Sequence, residues 1–267
     1  MRDDMLFKDF SPILSLGYEP SCALRQKLQL YYSLLTEWNE KINLTAISGW
    51  HDFLLLHVAD SLLGAPYIPQ NASVIDVGTG AGFPGVVLAL FRPDITLTLL
   101  DSLQKRTLFL QQLTQQLGIN AQIVHARAED GGRNAALRER FSVATARAVA
   151  PLNVLSELLL PFVHIGGTML CYKAKNTDAE MESATRAIQT LGGATPKLHH
   201  AVLAQQYERI IVQVPKVAAT PRNYPRKAGT PAKNPLYHKN SPLLQSKLQL
   251  IKIELKEGCT WNKTQLP

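Results

Sequence analysis

The residues with the most chemical content lie in one run, Val74-Ile75-Asp76-Val77-Gly78-Thr79-Gly80-Ala81-Gly82-Phe83-Pro84-Gly85. An apolar strand enters a glycine-rich turn there, and the turn opens a helix. Glycine lets the backbone approach a ligand closely and take positive φ. Pro84 suits a first helical turn, where its missing N–H costs nothing. Gly80-x-Gly82-x-x-Gly85, with Asp101 about 20 residues further on, matches the dinucleotide fingerprint. Such a match alone is weak. The fuller pattern is Asp76-x-Gly78-x-Gly80-x-Gly82, with an acid at the strand end. That carboxylate disfavours a pyrophosphate and suits an ammonium.

The acid points instead to S-adenosylmethionine, with Asp76 near its ammonium and Gly78, Gly80, Gly82 and Phe83 forming the turn around it. Asp101 ends the second strand, where it would accept the ribose hydroxyls or cap the helix that begins near Gln104. Ala128 and Glu129 follow the third strand, beside the adenine, with a solvated loop charge as the alternative for Glu129. Arg147 follows the fourth, where methyl donor and acceptor meet. It would hold a base edge or grip a phosphate, or else form an ion pair with Glu129 or Asp76. Asn39 and Asn43, four apart, share a helix face or cap its end. His57 and Asp60 pack over the pocket mouth or form a buried pair. No acid/base dyad and no metal cluster stand out: His199 and His200 are adjacent and face opposite sides of a strand.

These residues need elements to position them. Leu24, Leu28, Tyr31, Leu34, Leu35 and Trp38 give one apolar helical face, and a second helix over 52–63 turns Phe53, Leu56, Leu62 and Leu63 inward. From residue 74, short apolar runs alternate with helical stretches. Strands are expected at 74–77, 97–101, 121–125, 141–145, 167–173, 198–203 and 209–214. Helices fall at 84–91, 105–117, 152–161 and 179–191. This rhythm predicts an α/β, doubly wound, mostly parallel sheet. The last two strands are joined by a link too short for a parallel crossover, so that pair is antiparallel. The organisation is a helical region over 1–69, the cofactor-binding domain over 70–215 and a basic, proline-rich arm with its extension over 216–267.

Charge follows the same division. The chain has 267 residues and a formal net charge of +7. Ten Lys/Arg against Glu254 and Glu257 put a net +8 into residues 216–267, leaving −1 for the rest. A near-neutral body with a basic arm suggests a polyanionic partner. Residues 216–242 hold Pro221, Pro225, Pro231, Pro235 and Pro242, six basic residues and no acid. That composition predicts an extended or disordered arm, with Arg226 and Lys227 on phosphates and Tyr224 or Tyr237 stacking on a base. A last stretch, 243–256, reads as amphipathic. No run approaches a membrane span, the N-terminus has no signal-like core, and Cys22, Cys171 and Cys259 are widely spaced. A cytoplasmic protein without membrane or metal is expected.

Taken in order, the blocks resemble the GidB/RsmG family of 16S ribosomal RNA guanine-N7 methyltransferases. The resemblance runs over about residues 25–236, through Trp38-Asn39-Glu40-Lys41-Ile42-Asn43-Leu44-Thr45, His57-Val58-Ala59-Asp60-Ser61, the glycine turn, and Leu99-Leu100-Asp101-Ser102-Leu103-Gln104-Lys105-Arg106. It continues through Arg127-Ala128-Glu129, Ala146-Arg147-Ala148 and Tyr224-Pro225-Arg226-Lys227-Ala228-Gly229-Thr230-Pro231. It implies a class I methyltransferase fold and a cofactor pocket lined by Gly78, Phe83, Ala128, Glu129 and Arg147. Asp101, Ser102 and Leu103 would lie beside the ribose, and Arg147 at the reacting centre. The partner it implies is 16S ribosomal RNA or the small ribosomal subunit, met at Asn39, His57, Asp60, Arg226 and Lys227. Nothing demands a dimer, so a monomer is expected. Ala146 stands where the family usually has Ser, and residues 237–267 extend past its usual end. Still open at this point are a methyltransferase with another substrate, a non-catalytic RNA-binding module and a nicotinamide-dependent oxidoreductase.

Overall fold

A computed structural model describes residues 9–174 and 178–237. A short helix, α1 (Ser11–Leu14), precedes α2 (Cys22–Ile42). The Ser21 hydroxyl accepts from Leu24 N at the start of α2, and Asn43 closes it in the left-handed conformation at φ 49°. The next helix, α3, is composite: α-helical Trp50–Asp52, a π-helical stretch Phe53–Ala59, then α-helical Asp60–Leu62. A 3₁₀ turn, Ala65–Tyr67, leads into the sheet.

Seven strands follow: β1 (Ser73–Val77), β2 (Thr96–Asp101), β3 (Ala121–His125), β4 (Phe141–Arg147), β5 (Val163–Ala174), β6 (Lys197–Leu203) and β7 (Tyr207–Pro215). The helices between them are α4 (Gly85–Phe91), α5 (Gln104–Leu117), α6 (Ala128–Arg133), α7 (Leu152–Leu159) and α8 (Asp178–Thr190), and α9 (Thr230–Lys233) comes last. The strand order is β3-β2-β1-β4-β5-β7-β6. Strands β1 to β5 are parallel, and β7 runs antiparallel to both β5 and β6. The expected antiparallel final pair is therefore present. Ala204 and Gln205, at φ 47° and 58°, make its tight left-handed link without the asparagine or glycine that usually announces one.

Val74, Ile75 and Val77 of β1 are all buried, because helices cover both sheet faces. One layer of the core packs Leu28, Tyr31, Phe53, Val86 and Phe109 against the sheet, and the other packs Leu155, Leu159, Phe162 and Ile188. Each such side chain contributes roughly 1.5–3 kcal/mol by leaving water. The chain winds toward β3 on one side of β1 and toward β6 on the other. A crevice opens at the strand carboxyl ends where that direction reverses, between β1 and β4.

Two expectations need correction. Leu56 and Leu63 are only half-buried, while Leu54, Leu55 and Val58 are buried with Phe53 and Leu62. The wider π-helical turn changes which residues share the inner face. Residues 216–237 are also no free arm but a strap bound to the body. Lys216 is buried, and its ammonium donates to Leu160 O, Leu191 O and the Thr220 hydroxyl. Arg138 donates to Tyr224 O and Thr220 O, and Arg133 to Pro225 O. Proline and lysine cannot form a core of their own, but the strap's carbonyls are satisfied by arginines of the body. The stretch 243–256 lies outside the described residues.

Candidate active site

The glycine turn leaves β1 with Gly78, Gly80 and Gly82 at φ +70°, +60° and +97°, which L side chains rarely adopt. A Cβ on Gly85 would come within 2.7 Å of Leu99 and 2.8 Å of Asp76 Oδ2, so that glycine is needed for packing. A Cβ on Gly80 would meet nothing within 4 Å. The turn therefore presents bare backbone to open space at Gly80.

Its amides do not point there. Gly78 and Thr79 donate to Leu100 O, Gly82 and Phe83 to Thr79 O, and Val86 to Gly82 O. Gly80 N donates to Asp101 Oδ2 at 2.9 Å and Gly85 N to Asp76 Oδ2 at 2.8 Å. A dinucleotide turn offers such N–H groups and a helix N-terminus to the pyrophosphate. Here they are used internally, next to two carboxylates, and the surroundings suit a cation.

Asp76 is fully buried, and Oδ2 takes the Thr79 hydroxyl at 2.6 Å as well as Gly85 N. Its Oδ1 has no partner among the described residues. Burial raises the carboxyl to about 6, against the pull of the Thr79 and Gly85 hydrogen bonds. Asp76 thus braces the turn from beneath through Oδ2. Asp101 is buried at the end of β2, with Oδ1 accepting from Leu103 N at 2.9 Å. It braces the turn and the start of α5, and a carboxylate keeps further lone pairs for a diol. Ser102 O faces the His125 ring at 3.2 Å, and the Leu103 side chain is exposed.

Helix α2 reaches over this turn. The Tyr31 hydroxyl donates to Ala81 O at 2.6 Å. Phe83 is sandwiched between Tyr31, at 5.2 Å and 10°, and His57, at 4.2 Å and 7°. The Arg147 guanidinium lies 5.1 Å from the Phe83 ring centre. Arg147 Nη1 donates to Leu56 O at 2.9 Å and Asp60 Oδ2 at 2.8 Å, and Nη2 lies 2.9 Å from His57 Nδ1. Arg209 Nε holds the other Asp60 oxygen at 2.7 Å. Arg147 therefore has an ion-pair partner, but it is Asp60, neither Asp76 nor Glu129. Because Arg147 can only donate, His57 Nδ1 must accept, so Nε2 carries the proton toward the Thr45 hydroxyl at 2.9 Å. Burial, then the Arg147 charge, lowers His57 to about 3 and keeps the ring neutral.

Other expected contacts lie elsewhere. Asn39 Oδ1 accepts from Thr45 N at 2.8 Å, so Asn39 ties down the chain after α2. Glu129 is buried at the start of α6, and Gly229 N donates to its Oε1 at 2.7 Å, which makes it a clasp for the strap and no solvated charge. Ala128 is half-buried beside it. Arg226 is committed to Glu157, its Nη2 lying 2.6 Å from Oε2 of a carboxylate with no exposed side-chain area. It anchors the strap to α7 and does not offer its charge outward. Lys227 is exposed. Tyr237 meets Thr190 Oγ1 at 3.0 Å, so its hydroxyl is engaged with the body.

A cleft of about 570 Å³ opens beyond Arg147, within the usual ligand-pocket range. His57, Asp60, Arg147, Lys173, Glu180 and Arg209 are among its lining residues. Of these, Lys173, Glu180 and Arg209 were not singled out from the sequence. Only Lys173 had a usable signal, its place at the carboxyl end of a parallel strand, like Asp101 and Arg147.

The fold resembles a branched-chain polyamine synthase from Thermus thermophilus in its general course, with TM-score 0.52 and 12% identity over 74% of this chain and 65% of that one. The sequence carries more. The GidB family model, described as rRNA small subunit methyltransferase G, matches residues 24–210. The chain belongs to this family. One member, from Brevibacillus brevis, is 47% identical over 79% of this chain and 92% of its own length. Another, from Alkaliphilus metalliredigens, is 41% identical over 88% of this chain and all of its own. Both carry the name ribosomal RNA small subunit methyltransferase G. Family membership bears out the resemblance, the class I methyltransferase fold and the enzyme class read from the sequence. Among the described residues no helix is long and apolar enough to cross a membrane, and no cluster of three or more His, Cys, Asp or Glu could hold a metal ion.

Proposed function

We propose that the chain methylates N7 of one guanine in 16S ribosomal RNA, using S-adenosylmethionine, as a cytoplasmic monomer acting on the RNA or the small subunit. The domain over 70–215 carries the transfer, and the helical region, from residue 9 to 69, covers its site. One observation carries this reading: the turn with inward amides and two carboxylates runs at Arg147 into a cleft of base-binding size. Bound there, S-adenosylmethionine supplies an electrophilic methyl on a sulfonium. Gly78 and Gly80 give its closest backbone approach, Asp101 accepts from the ribose with Ser102 and Leu103 beside it, and Ala128 flanks the adenine.

Guanine N7 has an in-plane lone pair and no proton, so no general base is required. The work left to the protein is alignment and electrostatics. Arg147, fixed by Leu56 O, Asp60 and His57, is pre-oriented at the junction of turn and cleft. Neutral His57 accepts from it without adding a second positive charge. Asp60 offsets both Arg147 and Arg209.

The test is transfer of labelled methyl to 16S RNA and to small subunits, followed by mapping of the modified base. Label at one guanine N7 is expected, with turnover lowered on the order of 100-fold or more in Arg147→Ala, the scale for loss of a positioned charge. Cofactor binding with no transfer to either substrate would sink the substrate assignment.

A further inference from the structure

Lys173 and Glu180 line the far side of the cleft from the glycine turn, at the end of β5 and on α8. Lys173 Nζ donates to Ala150 O at 3.0 Å and lies 2.7 Å from Glu180 Oε2. Leu152 N donates to the same Oε2 at 3.0 Å. The pair is therefore held by backbone on two sides. Glu180 Oε1 has no hydrogen-bond partner among the described residues. The Lys173 ammonium has three protons, of which two are so engaged. Asp60, the other carboxylate in the lining, has both oxygens taken by arginines. Among the described residues, Glu180 is thus the cleft carboxylate with one oxygen that meets no partner.

Along its Watson–Crick edge guanine presents O6, then N1–H, then the N2 amino group: an acceptor followed by two donors. Lys173 beside Glu180 presents a donor followed by an acceptor, the complement in the same order. Adenine would set its N1 lone pair against the carboxylate, which repels it. We propose that Glu180 and Lys173 are specificity-determining residues that read this edge of the target guanine, Glu180 at N1–H and N2, Lys173 at O6. The inference rests on the function proposed above and adds how the base is chosen.

Placement supports it. From β1, which bears the turn, to β5 is two strand spacings, about 10 Å. A base lying between them turns N7 toward the methyl donor while its Watson–Crick edge, which adjoins N7 through O6, faces β5. Charge supports it too. As N7 attacks, the C–S bond breaks, the sulfur becomes neutral and the positive charge passes to the base. A carboxylate on the N1–H edge stabilises that charge more in the transition state than before it.

Small subunits reconstituted with guanine, inosine or 2-aminopurine at the methylated position provide the test. Inosine lacks the N2 amino group and 2-aminopurine lacks O6, but both keep N7. The unaltered protein should favour guanine over inosine by about 5-fold or more, the lower end for discrimination by a base contact. In Glu180→Gln the ratio should fall toward one and kcat should drop more than KM rises. Glu180→Asp should recover part of the ratio, and calorimetric affinity for S-adenosylhomocysteine should stay unchanged. Equal use of guanine and inosine by the unaltered protein overturns the proposal without any variant. An unchanged ratio in Glu180→Gln overturns it as well, with the methyltransferase reading intact. No transfer to guanine by the unaltered protein overturns both.

Discussion

Asp76 carries a charge in a place that resists it, and its titration should be measurable in two opposite ways. Its rise from 3.8 to about 6 corresponds to roughly 3 kcal/mol against the ionised form. An acid raised in the folded state contributes stability below its unfolded pKa of about 4, and the contribution is lost as pH climbs to about 6. Denaturation at pH 4.5 and 7 should show this loss in the wild type and not in Asp76→Asn. Affinity for a cationic cofactor should move the other way, rising from pH 5 to 7 as Asp76 ionises and then levelling. Calorimetric titration against pH checks it, and an equal rise in Asp76→Asn would refute the link. The glycines separate stability from binding in the same manner. Gly85→Ala drives a methyl into Leu99 and Asp76 and should cost about 1–3 kcal/mol of stability. Gly80→Ala meets open space and costs about 1–2 kcal/mol for its left-handed backbone, but it should weaken cofactor binding most.

At the scale of elements, α3 brings Leu56 O, His57 and Asp60 together around one guanidinium, and its π-helical stretch sets their angular spacing. Deleting one residue within 53–59 should return the stretch to α-helical turns and change the angular spacing of Leu56 O, His57 and Asp60 around Arg147. Methyl transfer should be lost while far-ultraviolet dichroism keeps its helical intensity, and a fully active deletion would show that the spacing is irrelevant. The strap is a second such element, bound to the body through Glu157, Glu129, Arg133 and Arg138. Arg226→Ala leaves Glu157 buried without its cation and should destabilise the protein by about 3–5 kcal/mol, measurable in urea. Lys227→Ala, on an exposed side chain, should leave stability within about 0.5 kcal/mol. Composition marked both residues alike as phosphate contacts. Whether a neighbouring carboxylate is buried or absent is a matter of distant sequence, and composition holds no record of it.

For the whole molecule, the reversal of the strap changes which truncation is informative. Removing everything after Pro215 strips the partners of Arg133, Arg138, Glu129 and Glu157, so weak RNA binding by that variant would reflect a damaged body. Ending the chain at Tyr237 keeps the strap and removes Lys239, Lys247, Lys252, Lys256 and Lys263. If these lysines contact RNA, the slope of log affinity against log salt should flatten by roughly 0.7–0.9 per lost phosphate contact. An unaltered slope would assign RNA binding to the body alone.

The sequence by itself determined the strand and helix order, the glycine turn, the antiparallel final pair and the family. Periodicity, short links and glycine spacing are local properties, and local sterics impose them wherever the segment folds. Asp101 and Arg147 were legible for a related reason: a polar residue ending a buried parallel strand has nowhere to point but the crevice. Tertiary structure alone decided who pairs with whom. Asp60 and Arg147 are 87 residues apart and Asp60 and Arg209 are 149 apart. Glu129 meets Gly229 across 100 residues. A carboxylate's role as ligand contact, strut or clasp depends on which cation or amide the fold carries to it, and on how much water is excluded. Both follow from packing between elements that no window of sequence contains.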